Sequence, residues 1–395
     1  MKKSAPPASA EPAADTTASV WAIFKGFFVV GSTAYGGPAM MPTLRAEVVE
    51  KRHFVSREEF RLGLGLCQII PGGTLMQLSA YIGLKMRGLA GALAAYAGFS
   101  APAFLLMTIL STFYSNTRNM PLAHNVYAGL KVVVLAICLM SCLDFVKRFA
   151  PTRRHQAFTA GAAALFLAGG GVVAIVLGAA VLGMVFLDPG PAPPAEHRET
   201  GNGALRLSLL LGGLFVLCMT ALFLLDRTLF DLAVSMVKVD MLAFGGFGLF
   251  PVMYAEVVEH RAWMDESTFI EGMALAQVTP GPNLLASAFI GYMVRGLVGA
   301  VVASVSVFAM SFVIVLAASH YRERIVASRL ARKALSGVLA TLGGMIVAVC
   351  FALAKAVEWG WPSALLLGLS LAALAAKVAV YWIVLGAGLL SLIIY

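Results

Sequence analysis

The chain has 395 residues, of which 60% are apolar and 12% are charged, and its mean hydropathy is +0.86. Soluble domains average about 45–50% apolar and about 25% charged residues, so the composition excludes a soluble globule and a disordered chain and leaves a polytopic membrane protein. The net charge of +9 comes from Lys and Arg in short runs between apolar blocks. That distribution is typical of cytoplasmic loops, so we expect a lipid bilayer and no nucleic acid as a partner.

The N-terminus and the cysteines define no catalytic or metal-binding feature. Residues 1–20 are mostly Ala, Pro and polar residues, and we predict a disordered tail with a cytoplasmic N-terminus. About fifteen such residues separate Lys2 and Lys3 from the first apolar run, so we expect no signal cleavage. All five cysteines lie in apolar blocks, and none forms a Cys-x-x-Cys pair. We therefore predict no disulfide, no metal site and no cofactor.

Eleven apolar blocks follow, and each is compared with the ~20 residues that a helix needs to cross a ~30 Å hydrocarbon core. An amphipathic, charged stretch at 45–61 separates the first two, and a polar linker begins at residue 188. The block 157–187 is divided at Gly169 and its counterpart at Lys377, which predicts a pair of short helices in each. The blocks are 21–41, 62–86, 89–114, 122–145, 157–187, 205–225, 229–253, 269–294, 297–319, 334–357 and 362–395.

The chain repeats itself at an offset of 209 residues, which later becomes 208. Between Ala34 and Gln77, 17 of 44 positions are identical to their counterparts without a gap. Two Ala-Glu-Val-Val-Glu segments and two Gln-x-x-Pro-Gly segments align at one offset, which compositional bias does not produce. The predicted organisation is a tail (1–20), a first repeat (21–187), a linker with one extra transmembrane helix (188–229) and a second repeat (230–395).

The extra helix and the loop charges predict that the two repeats have opposite orientations in the membrane. One additional crossing inverts the second repeat if each repeat crosses an even number of times. The loop 115–121 carries one basic residue and its counterpart 320–333 carries five, whereas 147–155 carries four and its counterpart 355–361 carries one. Because basic loops stay in the cytoplasm, equivalent loops then lie on opposite faces. This arrangement would place the stretch 45–61, which has five basic residues, on the outer face.

Gly and Pro interrupt the apolar blocks at equivalent places in the two repeats. Inverted repeats with broken helices are typical of secondary transporters, whose site lies near the bilayer midplane. A broken helix exposes free N–H groups and a positive dipole end, and amide and hydroxyl donors suit an oxyanion, which only accepts hydrogen bonds. Packing and kinking are the alternative explanation for an isolated motif, but duplication of both motifs favours binding. The predicted substrate-binding residues are Tyr35, Gly36, Gly37, Pro38, Gln68, Pro71, Gly72, Gly73, Thr74, Gln77, Phe244, Gly245, Gly246, Gln277, Thr279, Pro280, Gly281, Pro282 and Asn283.

Charged residues inside the blocks are further candidates, because charges at membrane depth are expensive. Lys131 is predicted to attract a dianion or to anchor its helix, and the two readings stay open. Asp144, Asp240 and Glu256 are candidates for coupling transport to protons. Arg87 and Arg295 occupy equivalent block ends, where snorkelling to the interface is the favoured reading. The pair Gly88-x-x-Gly91 suits helix packing within one chain or between copies in a homo-oligomer.

These motifs resemble those of the long-chain, two-domain chromate ion transporters. That family has a Phe-Gly-Gly-Pro motif near the start of each half and a Pro-Gly-Pro motif after the amphipathic stretch. The present chain has Tyr35-Gly36-Gly37-Pro38 and Phe244-Gly245-Gly246-Phe247 for the first motif, and Pro71-Gly72-Gly73 and Pro280-Gly281-Pro282 for the second. The first half therefore departs further from the family pattern than the second.

The resemblance implies an all-α membrane protein whose inverted repeats export chromate from the cytoplasm across the bacterial inner membrane and confer chromate resistance. Alternating access between the repeats is the expected mechanism. Sulfate or another oxyanion is the alternative substrate. An intramembrane enzyme is the alternative of another class, and we do not expect it because the blocks contain no convincing nucleophile–base set.

Overall fold

The computed structural model describes residues 18–34, 40–118, 120–188, 203–244 and 249–395, and every regular element in these ranges is helical. Residues 1–17 of the predicted tail (1–20) and the motif residues 35–38 and 245–247 lie outside them. The first repeat contains α1 (Val20–Thr33), α2 (Met40–Arg45), the π-helix π1 (Ala46–Lys51), α3 (Arg57–Ile69), α4 (Thr74–Thr117), α5 (Pro121–Phe149), α6 (Arg153–Leu167) and α7 (Val172–Phe186). The linking helix is α8 (Gly203–Leu225). The second repeat contains α9 (Arg227–Leu242), α10 (Leu249–Tyr254), π2 (Ala255–His260), α11 (Glu266–Val278), a 3₁₀ turn (Asn283–Leu285), α12 (Ala286–His320), α13 (Arg322–Ala327), α14 (Arg329–Ala356), α15 (Trp361–Ala375) and α16 (Val380–Ile394).

The backbone irregularities recur at the repeat offset, which confirms the internal repeat. The Ala-Glu-Val-Val-Glu segment is a π-helix in both halves, as π1 and π2. Non-helical angles interrupt α4 at Arg87 and Gly88 and α12 at Arg295 and Gly296. π-Helices are rare, so their duplication at matching positions reflects one ancestral unit rather than chance.

The irregular points in α4 and α12 are sharp turns that fold each helix back on itself. A Cβ atom at Gly83 would overlap the carbonyl group of Gly91, although residues eight apart in a straight helix lie about 12 Å apart. Gly291 and Gly299 repeat the contact in α12. Each helix therefore has two arms, 74–86 and 89–117 in α4, and 286–294 and 297–320 in α12. The contact of Gly91 with Gly83 assigns the small-residue motif at 88–91 to packing within the chain.

The first arm of α4 also pairs with α3, and the two form a hairpin that does not cross the membrane. Gly63 of α3 faces the Tyr81 ring, and Lys85 Nζ lies 3.4 Å from Glu59 Oε1. The apolar block 62–86 is therefore a hairpin, although its length alone would suffice for one crossing. Each arm has about 13 residues, or about 20 Å, which is too short for a ~30 Å core. The block 269–294 folds in the same way, with Gly272 of α11 against Phe289.

Within the described ranges, five helices are long and apolar enough to cross a membrane, namely α4, α5, α8, α12 and α14. α6 with α7 and α15 with α16 are paired short helices, as predicted, and they turn at Gly169 (φ +81°) and Lys377 (φ +60°). In α8 the large apolar side chains are exposed or half-buried, and the buried residue is Ser208, as expected for a linking helix that faces lipid.

The equivalent helices α5 and α14 lie side by side and run antiparallel. Near the end of α5, the Phe145 ring approaches Gly343, and earlier in α5 the Cys138 Sγ lies 3.2 Å from Cys350 Sγ. A later residue of α5 therefore lies beside an earlier residue of α14, so the two helices run in opposite directions. A two-fold axis along the membrane normal would leave equivalent helices parallel, so the axis lies in the membrane plane. The repeats are inverted.

The inverted repeats exchange contacts across this axis. Thr159 of α6 donates to the Ala340 carbonyl group of α14 at 2.9 Å, and Gly129 of α5 packs against Ser391 of α16. The paired short helices of each repeat thus cover the long helix of the other. The interface between the repeats is therefore the core of the molecule.

Candidate anion-binding site

The first Pro-Gly break forms the tip of the α3–α4 hairpin. Gly72 adopts φ +116°, a left-handed conformation that other residues rarely adopt. α4 then begins at Thr74 after Gly73, which supplies no side-chain cap. Gly72, Gly73 and Thr74 are all buried. The first N–H groups of an α-helix have no partner within the helix, so this buried end presents donors and a positive dipole to a ligand.

The second break forms the tip of the α11–α12 hairpin in the same way. Gly281 adopts φ +105° between Pro280 and Pro282. A single 3₁₀ turn follows, and α12 begins at Ala286 without a side-chain cap. The prediction of paired breaks is confirmed in the part of the chain that the structure describes, and each break is a buried helix N-terminus.

Each tip contacts the opposite repeat, and the two sets of contacts are equivalent. A Cβ atom at Gly72 would overlap Ser311 and lie 3.2 Å from Asp240 Oδ1. A Cβ atom at Gly281 would lie 2.7 Å from Ala103, and the Gly281 N–H donates to the Ala34 carbonyl oxygen at 2.8 Å. Ala103 and Ser311 correspond at an offset of 208 residues. Both tips therefore reach the interface between the inverted repeats.

The two tips differ in the charge that faces them. Asp240 of α9 faces the first tip, whereas its counterpart in α1, at an offset of 209 residues, is Gly31, which lies 3.2 Å from a Cβ placed at Gly281. Asp240 is 0% exposed, and its Oδ2 accepts a hydrogen bond from the Ser311 N–H at 2.8 Å. Its Oδ1 has no hydrogen-bond partner among the described residues. The site is therefore asymmetric.

The predicted amide and hydroxyl donors lie around the tips with different exposures. Gln77 is 0% exposed, and its Nε2 donates to the Pro71 carbonyl oxygen, while its Oε1 has no partner among the described residues. The Thr74 and Thr279 hydroxyls donate to carbonyl groups of Cys67 and Ala276 at 3.3 and 2.9 Å. Among the other predicted residues, Gln277, Asn283 and Phe244 are half-buried and Gln68 is exposed.

The charged candidates other than Asp240 do not lie at the tips. Lys131 pairs with Glu271 at 3.3 Å, so its charge is balanced. Asp144 is exposed on α5. Arg87 donates to the Ala18 carbonyl group at 2.9 Å, and the equivalent Arg295 contacts Asp226 at 3.0 Å. These contacts fit the reading of both arginines as anchors at the ends of their helix arms.

Glu256 lies on π2 inside a group of cationic residues. Its Oε1 accepts from Ser235 at 2.7 Å and from Lys238 at 3.2 Å, and Arg261 lies 3.6 Å away. Lys238, Glu256 and Arg261 line a cavity of about 370 Å³ beside α9. The equivalent Glu47 of π1 pairs with Arg52 at 2.7 Å. Both buried glutamates therefore neutralise neighbouring cations, and in the second repeat this group borders a cavity.

Two polar clusters between the repeats contain residues that the predicted site does not include. In one, Arg322 lies 3.0 Å from Glu59 and 2.7 Å from the Tyr81 hydroxyl. In the other, the Tyr114 hydroxyl donates to Glu271 at 2.5 Å. Tyr114 and Arg322 are equivalent at an offset of 208 residues. Because Tyr and Arg are different residue types, the internal repeat does not mark these two positions in the sequence.

The Glu59–Arg322 contact also corrects the predicted position of the amphipathic stretch 45–61. The prediction placed this stretch on the outer face, opposite the basic loop 320–333, but the ion pair brings the two segments to the same face. The re-entrant hairpin explains the error, because it returns the chain to the face from which it entered. Five basic residues in 45–61 therefore support the inverted arrangement instead of opposing it.

Among the residues that the structure describes, no three His, Cys, Asp or Glu side chains converge in a metal-binding group. The tips and the residues that face them offer backbone N–H groups, buried hydroxyls and amides, and the Asp240 carboxyl group. Such a set can bind an anion reversibly without a permanent positive charge.

Comparison with known proteins identifies the family. The family model described as chromate transporter matches residues 21–184 and 230–392. The chain is 31% identical over 342 residues to an uncharacterized transporter of Methanocaldococcus jannaschii, covering 85% of each protein. It is 26% identical to the chromate transport protein of Cupriavidus metallidurans, over 93% of this chain and 92% of the relative, and 27% identical to that of Pseudomonas aeruginosa, over 88% and 84%.

No solved structure matches the chain. The family match covers both repeats and includes each of the two helix breaks described above. The chain is a multi-pass membrane protein, and it belongs to the chromate transporter family.

Proposed function

We propose that this protein exports chromate from the cytoplasm across the bacterial inner membrane and so confers chromate resistance, and that it is a transporter and not an enzyme. The observation that carries the proposal is the pair of hairpin tips that contact the opposite repeat and from which helices start without side-chain caps, at Thr74 for α4 and at Asn283 for the 3₁₀ turn that leads into α12. Anions bind at helix N-termini because the free N–H groups and the dipole favour negative charge. Family membership supports chromate as the anion.

The binding chemistry follows from the donors at the tips. A tetrahedral dianion accepts hydrogen bonds at every oxygen, and the first N–H groups of α4 and of the 3₁₀ turn Asn283–Leu285 supply donors from two directions. Binding through backbone N–H groups is reversible, as transport requires, because the site lacks the strong attraction of a fully desolvated arginine. The predicted residues Tyr35–Pro38 and Gly245–Gly246 adjoin Ala34 and Phe244, and we propose that they complete the site.

Alternating access is proposed from the inverted repeats. The Glu59–Arg322 cluster closes one mouth between the repeats, and the Glu271–Lys131 cluster closes the other. The loop that follows Arg322 is the basic one, so the positive-inside rule places the first mouth in the cytoplasm. Contacts of Ala18 with Arg87 and of Glu59 with Lys85 bring the first described residues close to that mouth, which supports the same orientation. We therefore propose a cytoplasmic N-terminus.

Accumulation of chromate in everted membrane vesicles tests the function. Export from the cell corresponds to uptake into everted vesicles, and we expect the protein to raise chromium uptake above that of vesicles without it. Excess sulfate, molybdate and phosphate, added separately, distinguish chromate from related oxyanions. Unchanged chromium uptake, with the protein present in the membrane, would contradict the chromate assignment, and uptake of sulfate alone would reassign the substrate.

A further inference from the structure

Asp240 of α9 places a carboxyl group against the first hairpin tip, and no cation among the described residues forms an ion pair with it. Asp240 is 0% exposed, its Oδ2 accepts one hydrogen bond from the Ser311 N–H, and its Oδ1 has no partner among the described residues. Burying an ionised carboxylate without a cation is very unfavourable, and such a group normally binds a proton instead. The same residue faces the tip where we propose that an anion binds.

The groups that face Asp240 do not supply a counter-ion. Tyr96 of α4 is a titratable residue that interacts with Asp240, and the Tyr96 hydroxyl contacts Ser311 Oγ at 3.3 Å. The buried Cys67 thiol of α3 interacts with Tyr96. Lys238, two residues earlier on α9, points to Glu256 at 3.2 Å. α9 also packs against α8, α10 and π2, and among the described residues of these elements no cation forms an ion pair with Asp240.

The position of Gly72 shows how close the carboxyl group is to the proposed anion. A Cβ atom at Gly72 would lie 3.2 Å from Asp240 Oδ1 and 2.6 Å from Gln77 Nε2. The N–H groups at the start of α4 follow within two residues. A dianion bound there would lie next to an ionised Asp240 in a site with little water, and the two negative charges would repel each other strongly.

We propose that Asp240 is the proton site of this transporter, and that an oxyanion binds at the Pro71–Gly73 tip only together with a proton on the Asp240 carboxyl group. The proton comes from solvent. Once bound, it neutralises the Asp240 carboxyl group and turns Oδ1 into a hydrogen-bond donor. Release of the anion is coupled to release of that proton. This proposal rests on the proposed function, because it requires an oxyanion at the tip.

The counterpart of Asp240 makes the coupling specific to one tip. The second tip faces Gly31 and Ala103, which carry no charge. An anion at Gly281 therefore needs no proton. The inverted repeats are equivalent in backbone but not in charge, so one tip binds a proton with the anion and the other binds the anion alone.

Proton uptake during anion binding tests the proposal in the purified full-length protein. Chromate is added in weakly buffered detergent solution above neutral pH, where the dianion predominates, and a pH indicator reports protons while chromium analysis reports bound anion. We expect proton uptake by the wild type and an affinity that falls by up to about tenfold per pH unit. Asp240→Asn should bind chromate with an affinity that does not depend on pH and should take up no proton. Asp144→Asn, the same change at an exposed site, should behave as the wild type.

The outcomes separate the two proposals. Chromate binding by the wild type without proton uptake would overturn the role of Asp240 and leave the proposed function intact, and this result does not depend on any variant folding. The role of Asp240 would also be overturned, and the proposed function kept, if Asp240→Asn shows the wild-type proton uptake or if the affinity for chromate depends on Na⁺ and not on pH. Absence of any chromate or sulfate binding by the wild type would overturn both proposals.

Discussion

At the residue scale, two glycines decide whether the hairpin tips can form. Gly72 and Gly281 combine a positive φ with contacts that leave no room for a side chain. A methyl group at either position would strain the backbone and push the tip away from the opposite repeat, at about 1–3 kcal/mol. By contrast, Gly65 on α3 of the same hairpin has open space around it.

We therefore expect Gly72→Ala and Gly281→Ala to reduce chromate uptake at least tenfold in everted vesicles and to lower the Tm of the purified protein. Gly65→Ala should leave both near wild type. Uptake at the wild-type rate by both tip variants would show that the tips serve only packing.

Asp226, in the boundary turn between α8 and α9, links stability to pH. The hydrogen bond from the Leu229 N–H, together with Arg295, holds the pKa of this carboxyl group below its ordinary value. A group with a lowered pKa stabilises the folded state above its unfolded-state pKa, and that contribution is lost as the pH falls through the folded-state value.

Asp226→Asn should therefore lower the Tm at neutral pH, and the difference from wild type should shrink on acidification. Thermal unfolding at a series of pH values measures this. Asp144→Asn serves as the control for a generic loss of carboxylate charge. A gap that stays constant with pH would contradict the linkage.

At the scale of elements, the re-entrant hairpins are held at their mouths by ion pairs between repeats. Arg322, at the start of α13, is 4% exposed and joins Glu59 of α3 to the Tyr81 hydroxyl of α4. Removing one member of a buried pair leaves the other charge without its partner, which costs about 3–5 kcal/mol. Lys85 stays near Glu59 and reduces that cost.

Arg322→Met is expected to destabilise the protein by about 2–3 kcal/mol because it leaves Glu59 buried with a weaker partner. Adding Glu59→Gln should recover part of the loss, and a double-mutant cycle in denaturant measures the coupling. The exposed Arg324 nearby provides the control Arg324→Met. Additive effects of the two substitutions would show that the pair does not connect α3 to α13.

At the scale of the whole molecule, the contacts determine how many times the chain crosses the membrane. In the described part of the chain, α3 with the first arm of α4, α6 with α7, and their counterparts return to the face from which they start. The helices that can cross there are the second arms of α4 and α12 together with α5, α8 and α14. An odd number of crossings places the two ends of the chain on opposite faces. The two halves of the chain then have opposite orientations.

Single cysteines at positions 118 and 324 test this topology in a cysteine-free background. Arg118 and Arg324 are both exposed, and each lies at the end of an equivalent long helix. A thiol reagent that cannot cross the membrane should label position 118 in intact spheroplasts and position 324 only in everted vesicles. Labelling of both positions from one side would contradict the inversion.

The sequence alone identified the membrane protein, the internal repeat, the linking helix and both Pro-Gly breaks. These features are local or periodic: hydropathy reflects the bilayer, and Gly and Pro mark places where a helix cannot continue. Comparison of loop charges also predicted the inversion, because the positive-inside rule acts on short segments one at a time.

Only the tertiary structure showed that the blocks 62–86 and 269–294 fold back, that the stretch 45–61 shares a face with the loop 320–333, and that Asp240 faces the first tip. A hairpin and a crossing can have the same hydropathy, and the contact between Gly72 and Asp240 joins residues from different repeats. The sequence named Asp240 as one of several charged candidates. Asp240 differs from the other charged candidates because it is buried without a counter-ion. That property depends on the neighbours in space and not on the residues beside it in the chain.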